Sequence, residues 1–216
     1  MITIVTDHPI AIDSPDHQWP AGTGWDNSVL PAFNAKLFKL WPHPYLLDIG
    51  CAGGGLVRSI INDGGFAVGV EGSDLSQRTK RAEWGVIPHH LFTADATKPF
   101  ILWEDEAPLV FDIVTAWEFM EHIPADGIEG VLKNVKRHLT PDGIFVCSIS
   151  TESSMIDGPG SGIEYHQTVR PKDWWMDRLA AEGFTEDEEL RDFFAPDWVR
   201  GPNTGVAYSF CTVFRP

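Results

Sequence analysis

The segment LLDIGCAGGGLVRS, residues 46–59, decides the fold, because it joins an apolar strand to an apolar helical pattern through a glycine-rich turn. Four glycines fall among the six residues 50–55, and each one costs conformational order. Their spacing is not the G-x-G-x-x-G of a dinucleotide phosphate loop. Asp48 precedes the first glycine by two residues and would repel a pyrophosphate. The turn therefore predicts that a zwitterionic or cationic ligand approaches the backbone here.

Strands and helices alternate along the rest of the chain. After the strand at 45–50, apolar strands are predicted at 66–72, 91–95, 110–118 and 141–150, and helices at 28–41, 54–63, 75–85, 126–139 and 171–184. This alternation is typical of a mainly parallel sheet with helices on both faces. Two last strands are predicted around 188–194 and 205–214 with no helix between them. They would form a hairpin that places one antiparallel strand in the sheet.

Length and composition narrow the class of protein. A chain of 216 residues is long enough for one full-sized domain and too short for two generous ones, so we expect a single domain. The formal charge of −15, from 31 acidic and 16 basic residues, argues against a nucleic-acid partner. No apolar run approaches the roughly 18 residues of a membrane span, and the N-terminus shows no secretion signal. We therefore expect a cytoplasmic protein with no membrane partner; the sequence makes no prediction of its oligomeric state.

A second acid and three further motifs give the chain a family resemblance. Glu71 ends the next strand about 20 residues after Asp48, where a carboxylate can accept both hydroxyls of a ribose. With these residues the chain resembles the class I S-adenosylmethionine-dependent methyltransferases. Five motifs follow the family's order: DIGCAGG at 48–54, GVEGSD at 69–74, FTADATKPF at 92–100, FDIVTAWEFMEHI at 111–123 and LTPDGIFVCSIS at 139–150. In the first motif Ala52 replaces the middle glycine.

The resemblance implies a fold, a cofactor and an activity. It implies an α/β, Rossmann-like fold with a seven-stranded, mostly parallel sheet and one antiparallel strand. The activity it implies is methyl transfer from S-adenosylmethionine to a small-molecule acceptor, and we expect an oxygen to receive the methyl group. Residues 1–44 would form a lid and substrate segment, 45–150 the cofactor-binding core, and 151–216 the substrate loops and closing hairpin. The residues expected to bind the cofactor are Asp48, Gly50, Cys51, Gly53, Glu71, Gly72, Asp95, Ala96, Trp117 and Glu118.

Two histidines are candidates for the base that removes the acceptor's proton. His122 follows the fourth strand, and His166 lies in the long loop at 151–170 after the fifth. Histidine is the commonest base for such a step because its pKa lies near neutrality. We expect the flexible 151–170 loop to act as a lid, with His166 facing the transferred methyl group. The alternative for each imidazole is a structural histidine whose hydrogen bonds are satisfied locally.

Glu118, Glu121 and His122 raise the question of a metal. Their E-x-x-E-H spacing resembles the metal motif of ubiquinone-pathway O-methyltransferases and of small-RNA 2′-O-methyltransferases, where a histidine like His166 completes the site. A helical turn would place the three side chains on one face, and such ligands suit Mg²⁺ or Mn²⁺. Metal-free members of the superfamily also resemble the chain at this point, and the prediction adopted is that no metal is bound.

Other classes of protein stay open at this point. The chain could be an RNA or protein methyltransferase, a module that binds S-adenosylmethionine without catalysis, or a nucleotide-binding oxidoreductase, which the glycine spacing disfavours. Aromatic residues could wall the acceptor pocket, and the candidates are Trp25, Phe33, Phe193, Phe194 and Trp198.

Overall fold

A seven-stranded, mostly parallel sheet forms the centre of the molecule, in a computed structural model that describes residues 1–155, 162, 164–195 and 209–216. The strands are β1 Ile2–Thr6, β2 Tyr45–Ile49, β3 Phe66–Glu71, β4 Leu91–Thr93, β5 Phe100–Glu104, β6 Ala107–Pro108, β7 Phe111–Trp117, β8 Leu139–Ser150, β9 Thr185–Glu186 and β10 Ser209–Arg215. The helices are α1 Pro15–Gln18, α2 Ala21–Trp25, α3 Pro31–Leu40, α4 Gly55–Asn62, α5 Leu75–Thr79, α6 Ile128–His138, α7 Lys172–Ala181 and α8 Glu188–Phe194.

The strand order of the main sheet is β4-β3-β2-β7-β8-β10-β9. Strands β4, β3, β2, β7 and β8 pair in parallel, whereas β10 runs antiparallel to both of its neighbours. Within the described part of the main sheet, β10 is therefore the one reversed strand. The predicted fold class is confirmed, including its single antiparallel strand.

The end of the chain differs from the prediction in one element. Residues 188–194 were expected to be a strand, but they form helix α8. The strand that precedes β10 in the chain and pairs with it is the two-residue strand β9. The helix begins where Asp187 caps it, because the Asp187 carboxylate accepts a hydrogen bond from the backbone N–H of Leu190 at 2.9 Å. Glu188 and Glu189 follow in the first turn, where negative charge favours a helix.

A second, smaller sheet was not predicted. It consists of β1, β5 and β6 in antiparallel pairing, with Ile2 opposite Glu104 and Thr6 opposite Phe100. Alternate residues of β1 are half-buried, so one face of this strand packs against the main body while the other meets solvent. The N-terminal strand thus fixes the start of residues 1–44 to the segment between β4 and β7.

Helix α6 buries the apolar face that its sequence predicts. Ile128, Val131 and Val135 are fully buried. The helix begins at Ile128, two residues after the predicted start at 126, with Gly127 as its N-cap. On the exposed face, Glu129 pairs with Lys133 one turn further along.

The carboxyl ends of β2, β3, β4 and β7 meet at one edge of the main sheet, and the N-terminal segment crosses that edge. The backbone N–H of Asp95 donates to the carbonyl of His8, and the N–H of Ala11 donates to the carbonyl of Gly72, both at 2.9 Å. In open α/β sheets this edge is where ligands bind. Among the described residues, no helix combines the length and the hydropathy needed to cross a membrane.

Candidate functional site

A cavity of about 1170 Å³ opens at this edge of the sheet. It is bounded by residues 8–26, by the ends of β2, β3 and β7, and by the segment 165–167. Small-molecule sites commonly measure about 300–1,000 Å³, so this cavity has room for a donor and an acceptor together.

The cavity brings most of the predicted site residues together. Those that line it are Gly50, Glu71, Gly72, Asp95, Ala96, Trp117, Glu118, His122 and His166. Three predicted cofactor residues, Asp48, Cys51 and Gly53, do not line it and lie behind its wall. Their predicted roles as direct contacts of the cofactor stay predictions.

Other parts of the protein, as well as a ligand, approach the glycines of the turn closely. Gly50 has φ of 78°, and a Cβ there would lie 2.5 Å from the ring of Phe119. A Cβ on Gly53 would lie 2.5 Å from Oδ1 of Asn27, and the N–H of Gly53 donates to the carbonyl of Asp26. The N-terminal segment therefore packs directly on the turn. A ligand in the cavity has access to Gly50, whereas Gly53 is already covered.

Asp48 is buried beneath the turn and receives a hydrogen bond from the Thr115 hydroxyl at 2.7 Å. Burial raises the pKa of Asp48 to about 7, the hydrogen bond from Thr115 opposes this rise, and the negative charge of Glu71 adds to it. The carboxyl group is thus near its midpoint at neutral pH. A cationic group close to the turn would favour its charged form.

Glu71 presents a carboxylate whose position is fixed by three donors. Oε2 accepts from the backbone N–H of Ala52 at 2.9 Å, while Oε1 accepts from the N–H of Ser73 at 3.2 Å and from the Thr23 hydroxyl at 3.3 Å. Burial raises the pKa of Glu71, and the hydrogen bonds from Ser73 and Ala52 oppose that rise. A carboxylate offers about four acceptor positions, so one on Oε2 remains for a ligand hydroxyl. A second ligand hydroxyl on Oε1 would compete with the hydroxyl of Thr23. The sequence analysis did not identify Thr23 as a residue of the site.

Asp95 acts both as a turn former and as a wall of the cavity. Its Oδ1 accepts from the N–H and the hydroxyl of Thr97, at 2.9 and 2.6 Å, which forms a local turn of the kind that Asp favours. Within the described residues Oδ2 makes no hydrogen bond. This oxygen is the one that can meet a ligand in the cavity.

His122 and His166 lie side by side at the other end of the cavity. Their ring centroids are 4.8 Å apart and the rings meet edge to face. Nδ1 of His122 is 2.9 Å from Oδ2 of Asp16, and Nδ1 of His166 contacts the carbonyl of Glu152. Carboxylate and carbonyl oxygens only accept hydrogen bonds, so each neutral ring carries its proton on Nδ1 and leaves Nε2 as an acceptor.

The environment moves the pKa values of the two imidazoles in opposite directions. Burial alone would lower the pKa of His122, but the hydrogen bond and the charge of Asp16 raise it above the usual value. Burial lowers the pKa of His166, and the nearby positive charge of His122 lowers it further. At neutral pH, His166 is therefore the imidazole held in the neutral form.

The sequence motif around Glu118 adopts a different geometry from the one expected. Glu118 has φ of 46° and precedes a 3-10 turn at Met120–His122, so Glu118, Glu121 and His122 do not share one helical face. Glu118 instead accepts a hydrogen bond from the hydroxyl of Ser209 at 2.7 Å. The prediction of one face is wrong because the backbone turns sharply before the helical residues begin.

Glu121, His122 and His166 do form a compact group. One potential ligand atom from each lies within 4.8 Å of the others. Glu121 is fully buried, its Oε1 accepts from the N–H of Ser150 at 3.0 Å, and its Oε2 has no hydrogen-bond partner. Burial and the charge of Glu118 raise the pKa of Glu121 to about 8. An unpartnered buried carboxylate oxygen beside two imidazoles is a donor set that a divalent cation fits.

The long loop after β8 is held at both of its described ends. Met155 pairs with Glu164 in an isolated bridge, the Thr168 hydroxyl donates to the carbonyl of Ile123 at 2.7 Å, and the N–H of Thr168 donates to the carbonyl of Glu121. These contacts anchor the segment that carries His166. The glycine-rich stretch 158–162, on which the lid prediction depends, lies outside the described residues except for Gly162.

The aromatic residues expected to wall the acceptor pocket divide into two groups. Trp25 lines the cavity, whereas Phe33 and Phe194 are fully buried and stack on each other at 4.8 Å in the core beside Trp117. Phe193 packs against the same core, and Trp198 lies outside the described residues.

Comparisons with known proteins identify the family of the chain. A family model described as a methyltransferase domain matches residues 27–194, which is more than half of the chain. The ubiquinone biosynthesis O-methyltransferase of Caulobacter vibrioides is 32% identical over 171 residues, which cover 76% of this chain and 63% of that protein. The chain thus matches less than two thirds of that relative's length.

Two solved structures share the fold at low sequence identity. The PH0226 protein of Pyrococcus horikoshii has a TM-score of 0.60 and 19% identity, with 96% of this chain and 94% of that chain covered. A TehB-like S-adenosylmethionine-dependent methyltransferase from Corynebacterium glutamicum has a TM-score of 0.59 and 16% identity, with 92% and 94% covered. With the sequence motifs, the family match shows that the chain belongs to the class I S-adenosylmethionine-dependent methyltransferases.

Proposed function

We propose that the protein transfers the methyl group of S-adenosylmethionine to a hydroxyl oxygen of a small-molecule acceptor. The observation that carries this proposal is the pair of imidazoles at the end of the cavity, each with Nδ1 occupied and Nε2 left for a ligand. An oxygen acceptor needs a base to take its proton, and a neutral imidazole within the same cavity supplies one. The relative named as an O-methyltransferase supports the choice of oxygen.

The donor would occupy the part of the cavity at the ends of β2, β3 and β4. Glu71 is proposed to accept the ribose hydroxyls, one at Oε2 and the other at Oε1 in place of the Thr23 hydroxyl, and Oδ2 of Asp95 is proposed to accept from the adenine amino group. The ammonium group would lie at Gly50, where the charge of Asp48 acts through the buried turn. Ala96, Gly72, Trp117 and Glu118 are proposed to complete the donor wall, and Cys51 and Gly53 to support the turn from behind.

In the proposed transfer step, a histidine of this chain takes up the proton of the acceptor hydroxyl. The acceptor oxygen attacks the methyl carbon in line with the carbon–sulfur bond, which breaks and leaves its electron pair on sulfur as the thioether S-adenosylhomocysteine. The acceptor's proton passes to Nε2 of His166, whose lowered pKa keeps it neutral beforehand. The His122 ring, whose pKa Asp16 raises, is proposed to donate a hydrogen bond from Nε2 to the acceptor oxygen and so to orient it. Holding the reactants in one cavity supplies much of the rate by alignment.

The prediction that no metal is bound stays a prediction, although the residues fit one. Glu121 with its unpartnered Oε2, His122 and His166 would hold a divalent cation. Such an ion would stabilise the deprotonated acceptor oxygen as a Lewis acid. Nδ1 of each imidazole is occupied, so a bound ion would take Nε2 of His122 and of His166 as ligands, and the metal-bound and metal-free sites are alternatives.

The acceptor class is tested by offering labelled donor to three kinds of acceptor. These are a panel of small phenols and alcohols, total RNA, and a protein extract. The proposal predicts label in the small-molecule fraction, and this also bears on the proposal that nucleic acid is not a partner. Label confined to RNA or protein would contradict the proposal. Donor binding with no transfer to any class would favour a non-catalytic binding module.

A further inference from the structure

A carboxylate from the N-terminal segment reaches one of the two imidazoles. Asp16 lies 106 positions before His122 in the sequence, yet its Oδ2 is 2.9 Å from Nδ1 of His122. Both side chains are largely buried, with about one fifth of each exposed (21% and 22%). In this setting a hydrogen bond to a carboxylate is stronger than in water, so it can decide which tautomer the imidazole adopts.

Local structure holds Asp16 in place. Ser14 caps α1, with its hydroxyl accepting from the N–H of Asp16 at 3.2 Å, and Pro15 starts the helix with its fixed φ. At the other end of α1, the hydroxyl of Tyr165 donates to the carbonyl of Trp19. The loop that carries His166 therefore braces the helix that carries Asp16, and both close over the same end of the cavity.

The two imidazoles differ in what holds their Nδ1 atoms. His166 bonds to a neutral backbone carbonyl, whereas His122 bonds to a side chain that carries a full negative charge. A carboxylate only accepts hydrogen bonds, so Asp16 fixes the proton of the neutral His122 ring on Nδ1. A side chain from residues 1–44 thus takes part in building the acceptor end of the site.

We propose that Asp16 is a positioning residue of the methyl-transfer reaction, which holds His122 in the Nδ1–H tautomer with Nε2 available to the acceptor. The kinetic consequence of this role rests on the proposed function. The tautomer of His122 does not depend on the proposed function, because it is a property of the protein alone.

The tautomer is read from the ¹⁵N shifts of labelled histidine at alkaline pH, where the ring is neutral, with the His122 signals assigned by their loss in His122→Gln. The wild-type protein should show His122 protonated on Nδ1, and Asp16→Ala should move it toward the Nε2–H form that imidazole prefers in water. Asp7→Ala is the matched control, because Asp7 is an exposed carboxylate of the same segment, outside the cavity lining. An unchanged tautomer in Asp16→Ala would overturn the proposal whether or not an acceptor is known.

The kinetic test uses the acceptor found by the labelled-donor screen. Asp16→Ala should lower kcat by about 10- to 100-fold, as is typical when the group that orients an imidazole is removed, and should leave the donor Kd within about twofold. Asp16→Glu should recover part of the loss, and Asp7→Ala should match the wild type. In a double-mutant cycle, Asp16→Ala should add little to the loss caused by His122→Gln. Full turnover in Asp16→Ala, or a loss that adds fully to that of His122→Gln, would show that Asp16 does not act through His122.

Discussion

Donor binding should weaken as the pH falls through neutrality, because Asp48 must be charged to attract the donor's ammonium group. The pKa of Asp48 is raised to about 7 in the donor-free protein. With a pKa at that value, the charged fraction of Asp48 falls about tenfold from about pH 8 to about pH 6, so the Kd for S-adenosylhomocysteine should rise by up to about tenfold. The direction of this pH dependence follows from burial, which raises the pKa of Asp48 so that its neutral form predominates below that pKa.

Two substitutions should move this transition in opposite directions. Thr115→Val removes the hydrogen bond that lowers the pKa of Asp48, so the midpoint should move to higher pH. Glu71→Gln removes a negative charge that raises the pKa, so the midpoint should move to lower pH even though affinity is lost overall. Asp48→Asn should flatten the pH dependence.

Isothermal titration calorimetry across this pH range, in buffers of different ionisation enthalpy, measures both the affinity and the protons released. Proton release on binding should be largest below neutral pH and should disappear in Asp48→Asn. The reasoning would be refuted by an affinity that is flat from about pH 8 to about pH 6, or by Thr115→Val and Glu71→Gln moving the midpoint the same way.

Three further predictions concern the donor, the base and the metal. Glu71→Ala should cost roughly 1–3 kcal/mol of donor binding, about 5- to 150-fold in Kd by calorimetry, while NAD shows no binding; tight NAD binding would contradict the donor site. His166→Gln should lower kcat by about 100-fold or more at saturating donor, with the donor Kd nearly unchanged. Turnover equal to the wild type would indicate that His122 is the base that takes the acceptor's proton. Chelator should leave turnover unchanged, whereas a stoichiometric divalent ion retained through purification would show that Glu121, His122 and His166 hold a metal.

The main sheet was predictable because its signals are local. Near-continuous apolar strands, the glycine turn and acids at strand ends each lie within a few residues, and the order of the motifs fixes which strand ends meet. The same local signals misled at 188–194, where the apolar residues also suit a helix. There the cap at Asp187 and the acids after it decided the outcome.

The acceptor end of the site was only partly predictable, because its geometry depends on distant contacts. The histidines at 122 and 166 were identified from their places after β7 and β8. Nothing near Asp16 or Thr23 in the sequence indicates that these side chains contact His122 and Glu71. The helix at Pro15–Gln18 was itself not predicted. Only the folded N-terminal segment shows that this helix crosses the cavity.

The most direct test of the proposed function is the site of methylation on matched acceptors. Donor carrying a ¹³C-labelled methyl group is offered to phenols and to the corresponding anilines, and NMR distinguishes methoxy from N-methyl carbons in the products. The account predicts methoxy products from the phenols, formed in the wild-type protein and reduced about 100-fold or more in His166→Gln. Label on the anilines with none on the phenols would contradict it.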